Sequence, residues 1–291
     1  MRTLLIIPLI LMMGMLNAQS ATIIASKNGK EITLERLTKE LGKYDVIFFG
    51  EYHDNAIIHD LQSRILPLMH AANPRLILSF EMFERDVQTD LNPYLDGSID
   101  EEEFLERSRP WPNYPTDYRP LVEFAKAHDL PAIAANIPRR LAGLVARNGI
   151  DALRGLSTDD QVLMAVSVSA PEGAYKDKFI ATMQANGMHG NGGDNEMYER
   201  LFFAQCMKDD TMAESIAQYR EVYPKHKIIH FNGDFHSREF LGTVERLKSR
   251  MPKTKIAVIS PQFASDPLPK KLKTIANYII MLPDDAVEEG E

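Results

Sequence analysis

Six short apolar runs constrain this chain more than any other feature: Val46–Gly50, Leu76–Phe80, Ala132–Ala135, Ile228–Phe231, Ile256–Ile259 and Tyr278–Leu282. Most are rich in Ile and Val and do not alternate with polar residues. That pattern belongs to strands covered on both faces, the usual state of a parallel sheet. Helical spacing separates several of them. Ile57, Ile58, Leu61, Ile65, Leu68 and Met69 mark one apolar helix face, and Leu121, Val122, Phe124 and Ala125 mark another. Strand–helix–strand repetition predicts an α/β fold, a mainly parallel central sheet flanked by helices. No strand-like run lies between Asn136 and Lys227, where patterns such as 201–219 are helical. A mostly helical insertion is expected at about 139–226. With 291 residues, 44% of them hydrophobic, the chain can bury a large core. The expectation is a single domain over 21–283, and no internal repeat is visible.

The ends read differently. Arg2 precedes an apolar segment, Leu4–Leu16, which closes on small residues near Ala18–Ala21. This is the pattern of a secretory signal peptide over 1–20, too short for a spanning helix, with an uncleaved anchor as the competing reading. The sole cysteine is Cys206, so an internal disulfide and a Cys-rich zinc site are excluded. No cysteine stands at the cleavage point to carry a lipid. An exported protein of the periplasm or cell envelope is expected. The net charge of −8 argues against nucleic acid as a partner. The acidic tail, 284–291, is expected to lie outside the fold.

Polar residues follow four of the runs. They are Glu51 and His53; then Glu81; then Asn136, Arg139 and Arg140; then Asp234 and His236. Ligands of open α/β sheets bind beyond the carboxyl ends of the strands, so these groups are expected to share one crevice. Each has a plainer reading. Asp54 or Asn55 can simply cap the next helix; His53 alone can be structural, and Glu81 can pair with an arginine. His59, His70, His128 and His226 read as ordinary helix or surface residues, and His230 as a satisfied core histidine. If the cluster is chemical, Glu51, His53 and His236 offer oxygen and imidazole nitrogen to a divalent transition metal. Without metal, His53 or His236 can activate water, oriented by Glu51 or Glu81, as in a hydrolase. No Gly-x-Ser-x-Gly, His-Glu-x-x-His or phosphate loop is present.

"GEYH" at 50–53 with "GDFH" at 233–236 resembles the signature of the haem-binding-uptake/Tiki/erythromycin-esterase-like superfamily. "SFEMFERDVQ" (79–88), "WPNYPTDYRPLVEFAK" (111–126), "AANIPR" (134–139) and "AQCMKDDTMAESI" (204–216) resemble its ChaN branch. That resemblance implies an exported or lipid-anchored protein that binds haem for iron uptake; the missing lipid-bearing cysteine is a departure. Tiki-like relatives imply a metal-dependent peptidase, and erythromycin-esterase-like ones a histidine base. Haem needs an iron ligand, flat apolar walls and cations for its propionates. Tyrosinate suits ferric iron. Tyr175 is the first candidate, beside Lys176 and Lys178; Tyr118 is second and Tyr52 third. Tyr175 can equally be a surface aromatic. Met183, Met188, Met197, Met207 and Met212 can line an adaptable wall or be plain core. His189, in a glycine-rich stretch, is a second ligand or a polar loop residue. Two functions are therefore carried forward, a haem-binding protein of an iron-uptake route and a hydrolase. A haem or iron receptor or transporter in the envelope would be the partner, and a homodimer stays open.

Overall fold

The computed structural model describes residues 21–185, 187 and 195–284. The leader 1–20, His189 and residues 285–291 of the acidic tail lie outside them. All six apolar runs are strands: β3 (Val46–Glu51), β4 (Leu76–Glu84), β5 (Ala132–Asn136), β6 (Lys227–Gly233), β7 (Ile256–Phe263) and β8 (Tyr278–Leu282). Two further strands, β1 (Thr22–Ala25) and β2 (Lys30–Ile32), complete an eight-stranded sheet of order β2-β1-β8-β7-β3-β6-β4-β5. The six from β8 to β5 are mutually parallel, while β1 is antiparallel to both β2 and β8.

The helices are α1 (Leu34–Leu41), α2 (Ala56–Ala72), α3 (Gln88–Leu95), α4 (Glu101–Ser108), α5 (Arg119–Ala127), α6 (Arg139–Asn148), α7 (Thr158–Gln161), α8 (Ala174–Ala185), α9 (Asn195–Val222) and α10 (Thr243–Arg250). Among the described residues, no helix is long and apolar enough to cross a membrane. Successive β3 side chains explain the unbroken apolar run. Ile47 and Phe49 enter one core with Ile58 and Ile65 of α2 and Leu121 of α5. Val46 and Phe48 enter the other with Met212 and Ile216 of α9 and Leu247 of α10. Strand side chains alternate between faces, and here both faces are apolar. Between β5 and β6 the chain runs through α6 to α9.

Three polar side chains fix the frame around the strand ends. Asn55, not Asp54, caps α2: its side chain accepts from the Ile58 amide at 3.1 Å, and Asp54 is exposed. Arg85, just beyond β4, donates through Nε to Ser215 Oγ at 2.8 Å and through its terminal nitrogens to the Thr211 carbonyl at 3.0 Å and Glu214 at 3.2 Å. These bonds hold α9 beside the sheet. Gln88 serves the outer side of β5. Its amide nitrogen donates to the Ala132 carbonyl at 3.0 Å, and its oxygen accepts from the Ala134 amide at 2.8 Å.

Candidate functional site

β3 and β6 are neighbours, paired with Glu51 opposite Gly233, so the two Gly-acid-aromatic-His segments leave the sheet side by side. They interlock. A Cβ at Gly50 would stand 2.5 Å from Asp234 Oδ1, and a Cβ at Gly233 would stand 2.7 Å from His53 Nε2. Each glycine makes room for a side chain of the other segment.

The Glu51 carboxylate is buried and fully engaged. Oε1 accepts from His53 Nδ1 at 3.0 Å and from the Tyr118 hydroxyl at 2.8 Å; Oε2 accepts from Gln62 at 2.6 Å. His53 is about one third exposed, and its ring meets the Trp111 edge with centroids 4.9 Å apart. Burial opposes its charge, but the Glu51 hydrogen bond and the Glu81 and Glu51 charges prevail and raise its pKa. With Nδ1 held, Nε2 makes no hydrogen bond among the described residues and lies over Gly233, where a Cβ would stand 2.7 Å from it; both residues line one cleft. In the sequence His59 reads as an ordinary helix or surface residue. Instead it is buried, hydrogen-bonded to Gln62 at 2.9 Å and, through Nε2, to the His53 carbonyl at 2.9 Å. It braces the loop that carries His53.

A second chain of contacts lies alongside. Glu81 Oε2 accepts from the Gly233 amide at 2.7 Å, and Oε1 pairs with His236 Nε2 at 3.2 Å. His236 Nδ1 donates to Asp209 Oδ1 at 2.7 Å. Asp209 also accepts from Thr243 Oγ1 at 2.8 Å and from the Tyr175 hydroxyl at 2.6 Å. Burial alone would strip the His236 charge, yet the two flanking carboxylates raise its pKa to about 10. Burial likewise works against Glu81 ionisation, but the His236 charge holds its carboxyl well below the usual range. His236 is therefore a buried imidazolium between two carboxylates. His230 is only half satisfied: Nδ1 meets Ser79 Oγ at 2.9 Å, Nε2 has no partner among the described residues, and burial pushes its pKa down to about 3.

These groups floor a cleft of about 710 Å³. Glu51, His53, Glu81, Asn136 and His236 all line it, so the strand-end residues do converge. Arg139 lines it as well; Arg140 instead pairs with Asp160. Met82, Trp111, Ile137, Phe179, Met183 and Phe235 supply apolar wall, and Lys178, Lys208, Arg139 and Arg238 supply cations. Lys208 makes no ion pair among the described residues. Among the described residues Lys178 Nζ has no hydrogen-bond partner; it pairs with Glu239 at 3.5 Å, lies 5.0 Å from the Phe235 ring centre, and has its pKa lowered by burial.

Other expected ligands fall elsewhere. Tyr175 is 4% exposed, does not line the cleft, and spends its hydroxyl on Asp209; burial raises its pKa well above the ordinary value. Lys176 pairs with Glu172 at 2.6 Å and Glu199 at 2.5 Å, away from the cleft. Tyr118 is buried behind Glu51. Of the three tyrosines only Tyr52 reaches the cleft wall, stacked on Phe263 with centroids 5.2 Å apart. Of the methionines, Met183 lines the cleft, Met207 and Met212 are core, and Met188 lies outside the described residues. Glu51, His53 and His236 do not form a metal-ligand set. Among the described residues no three His, Cys, Asp or Glu side chains could hold a metal ion. The physical reason is that the Glu51 oxygens and both His236 nitrogens are already hydrogen-bonded. Sequence reasoning misses Asp209 and also Gln205, which lines the cleft and has its amide nitrogen 3.3 Å from both the Tyr175 hydroxyl and His236 Nδ1, though both lie in the quoted 204–216 segment.

Residues 8–247 match the family model described as "Haem-binding uptake, Tiki superfamily, ChaN". Comparison with curated proteins finds no match. Among solved structures, the chain is similar to ChaN of Campylobacter jejuni, described by its cofacial haem binding, at 16% identity and a TM-score of 0.68, covering 90% of this chain and 97% of that one. A Bacillus cereus protein is similar at 11% identity and a TM-score of 0.51, covering 87% and 92%. At these identities the likeness shows the fold.

Proposed function

Because the chain belongs to the family of haem-binding uptake proteins of the Tiki superfamily, ChaN, we propose that it binds haem in the cleft above the strand ends. The observation that carries the reading is the His53 imidazole, which lines a cleft with a largely apolar wall, has Nδ1 held by Glu51 at 3.0 Å, and has no hydrogen bond at Nε2 among the described residues. Histidines that bind metal commonly donate the other ring N–H to a carboxylate, which fixes the tautomer and makes the ligand more basic. The cleft volume, about 710 Å³, is in the range of cofactor sites. Bound haem would supply an iron that accepts an axial donor. Among the described residues that line the cleft, His53 Nε2 and the Tyr52 hydroxyl, which donates to the Pro261 carbonyl at 3.4 Å, are the first candidate donors, and the Met82 and Met183 thioethers line it too. Trp111, Phe179 and Phe235 would meet the apolar faces, and Lys178, Lys208 and Arg139 the propionates.

The chain holds one tryptophan, Trp111, on the cleft wall, so binding should quench its fluorescence as haem absorbance changes. Both signals should saturate together in a haem titration. His53→Ala should weaken binding and alter the spectrum more than Tyr52→Phe; the reverse moves the axial ligand to Tyr52. No saturable change in either signal removes the haem reading. Export to the envelope, delivery to or from a haem or iron receptor there, and a homodimer belong to the same proposal. Export is supported by the Leu4–Leu16 segment. The mature N-terminus of envelope protein tests it, and an intact Met1 would refute cleavage.

A second reading rests on the same dyad. Glu51 and His53 are placed as an oriented base facing a cleft, which suits attack by water on an ester or amide. An ester and peptide screen tests it. His53→Ala should cut any turnover by about 10²–10⁴-fold; equal rates in wild type and variant would end this reading.

A further inference from the structure

The glycine of the second motif has no conformational reason to be there. Gly233 has φ −53° and ψ 134°, a backbone shape open to any residue. What is special is the space. A Cβ at this position would meet His53 Nε2 at 2.7 Å and His53 Cε1 at 2.9 Å, closer than real Cβ contacts come, while Glu81 Oε2 would stand at an ordinary 3.6 Å. The obstacle is thus one side chain, and that side chain is confined. His53 is tied through Nδ1 to Glu51, packed against Trp111, and its loop is held by His59 and Asn113, which both donate to the His53 carbonyl at 2.9 Å. An added methyl would turn the ring off the Glu51 hydrogen bond and out over the cleft.

We propose that Gly233 is a positioning residue: by lacking a Cβ it lets the His53 imidazole pack over the end of β6, with Nδ1 on Glu51 and Nε2 free of protein hydrogen bonds among the described residues. The functional half of this rests on the haem reading; the geometric half does not. In haem-free protein, Gly233→Ala should shift the His53 Cε1–H resonance while leaving that of His236 in place. In haem titrations it should weaken binding about 10-fold, the scale seen when a partner that orients a metal-binding histidine is disturbed. The double variant Gly233→Ala/His53→Ala should bind like His53→Ala alone, because the methyl acts only through the ring it displaces. Should Gly233→Ala fail to fold, the double variant, which removes the clash, should recover the fold.

An unmoved His53 resonance overturns the proposal. So does a Gly233→Ala loss that persists undiminished in the His53→Ala background, or a double variant that also fails to fold. If wild-type protein shows no haem binding, the haem reading fails, and the haem-free resonance still decides the role of Gly233.

Discussion

Stability should fall as pH rises from about 6 to 10, through His236. Its ring is buried between Glu81 and Asp209, and its pKa stands at about 10 against an ordinary 6.5. A group whose pKa is raised on folding contributes stability that is fully present below the unfolded value and lost as pH climbs through the folded one. The gap is about 3.5 pH units, and at ~1.4 kcal/mol per unit the full contribution is about 5 kcal/mol. About 3 kcal/mol of it should remain at pH 8, and the loss between pH 6 and 10 should be about 4 kcal/mol. With a urea m-value of ~3 kcal/mol/M, the midpoint should drop by about 1.4 M. Urea unfolding at unit pH steps measures this, with His236→Gln as the control. The variant should be less stable at pH 6, because Glu81 and Asp209 lose their shared cation, and nearly flat above it. A wild-type midpoint constant from pH 6.5 to 10, or an equal decline in His236→Gln, would refute the argument.

Three further outcomes follow from the same geometry. Tyr175→Phe should leave the haem spectrum unchanged and cost about 1–3 kcal/mol of stability, since it removes a donor from buried Asp209; a changed spectrum would return Tyr175 to the ligand role. Glu51→Gln should lower the His53 pKa, followed by NMR titration of haem-free protein, because the Glu51 hydrogen bond and charge are among the causes that raise it. Lys178→Ala should weaken haem binding more than Lys176→Ala, as only Lys178 lines the cleft; equal effects would place the propionates elsewhere.

The sheet was legible where burial was two-sided. β3, β4, β5, β6, β7 and β8 announce themselves as apolar runs because helices cover both faces, whereas β2, Lys30–Ile32, is exposed or half-buried and short, and carries no such signal. Glu51, His53, Glu81 and His236 were legible because a strand end is a position that sequence reveals. Asp209 was not. It sits in the middle of α9, in the charged string Lys208-Asp209-Asp210, and only the packing of α9 on the sheet brings it to His236. The Tyr175, Lys176 and Lys178 grouping misled for a geometric reason. Successive residues on a helix are turned by about 100°, so sequence neighbours on α8 face different surroundings. Tyr175 turns to Asp209, Lys176 to Glu172 and Glu199, and Lys178 to the cleft.

The Gln88 amide has a consequence for how copies of this protein can meet. β5 ends the sheet, and a bare terminal strand is a template onto which another chain can zip. Gln88 fills that berth with a single side chain, answering the Ala132 carbonyl and the Ala134 amide as a ninth strand would. Ser215 occupies another of the β5 carbonyls, that of Ala135, at 2.9 Å. A continuous inter-molecular ribbon therefore cannot start at β5 unless Gln88 first lets go.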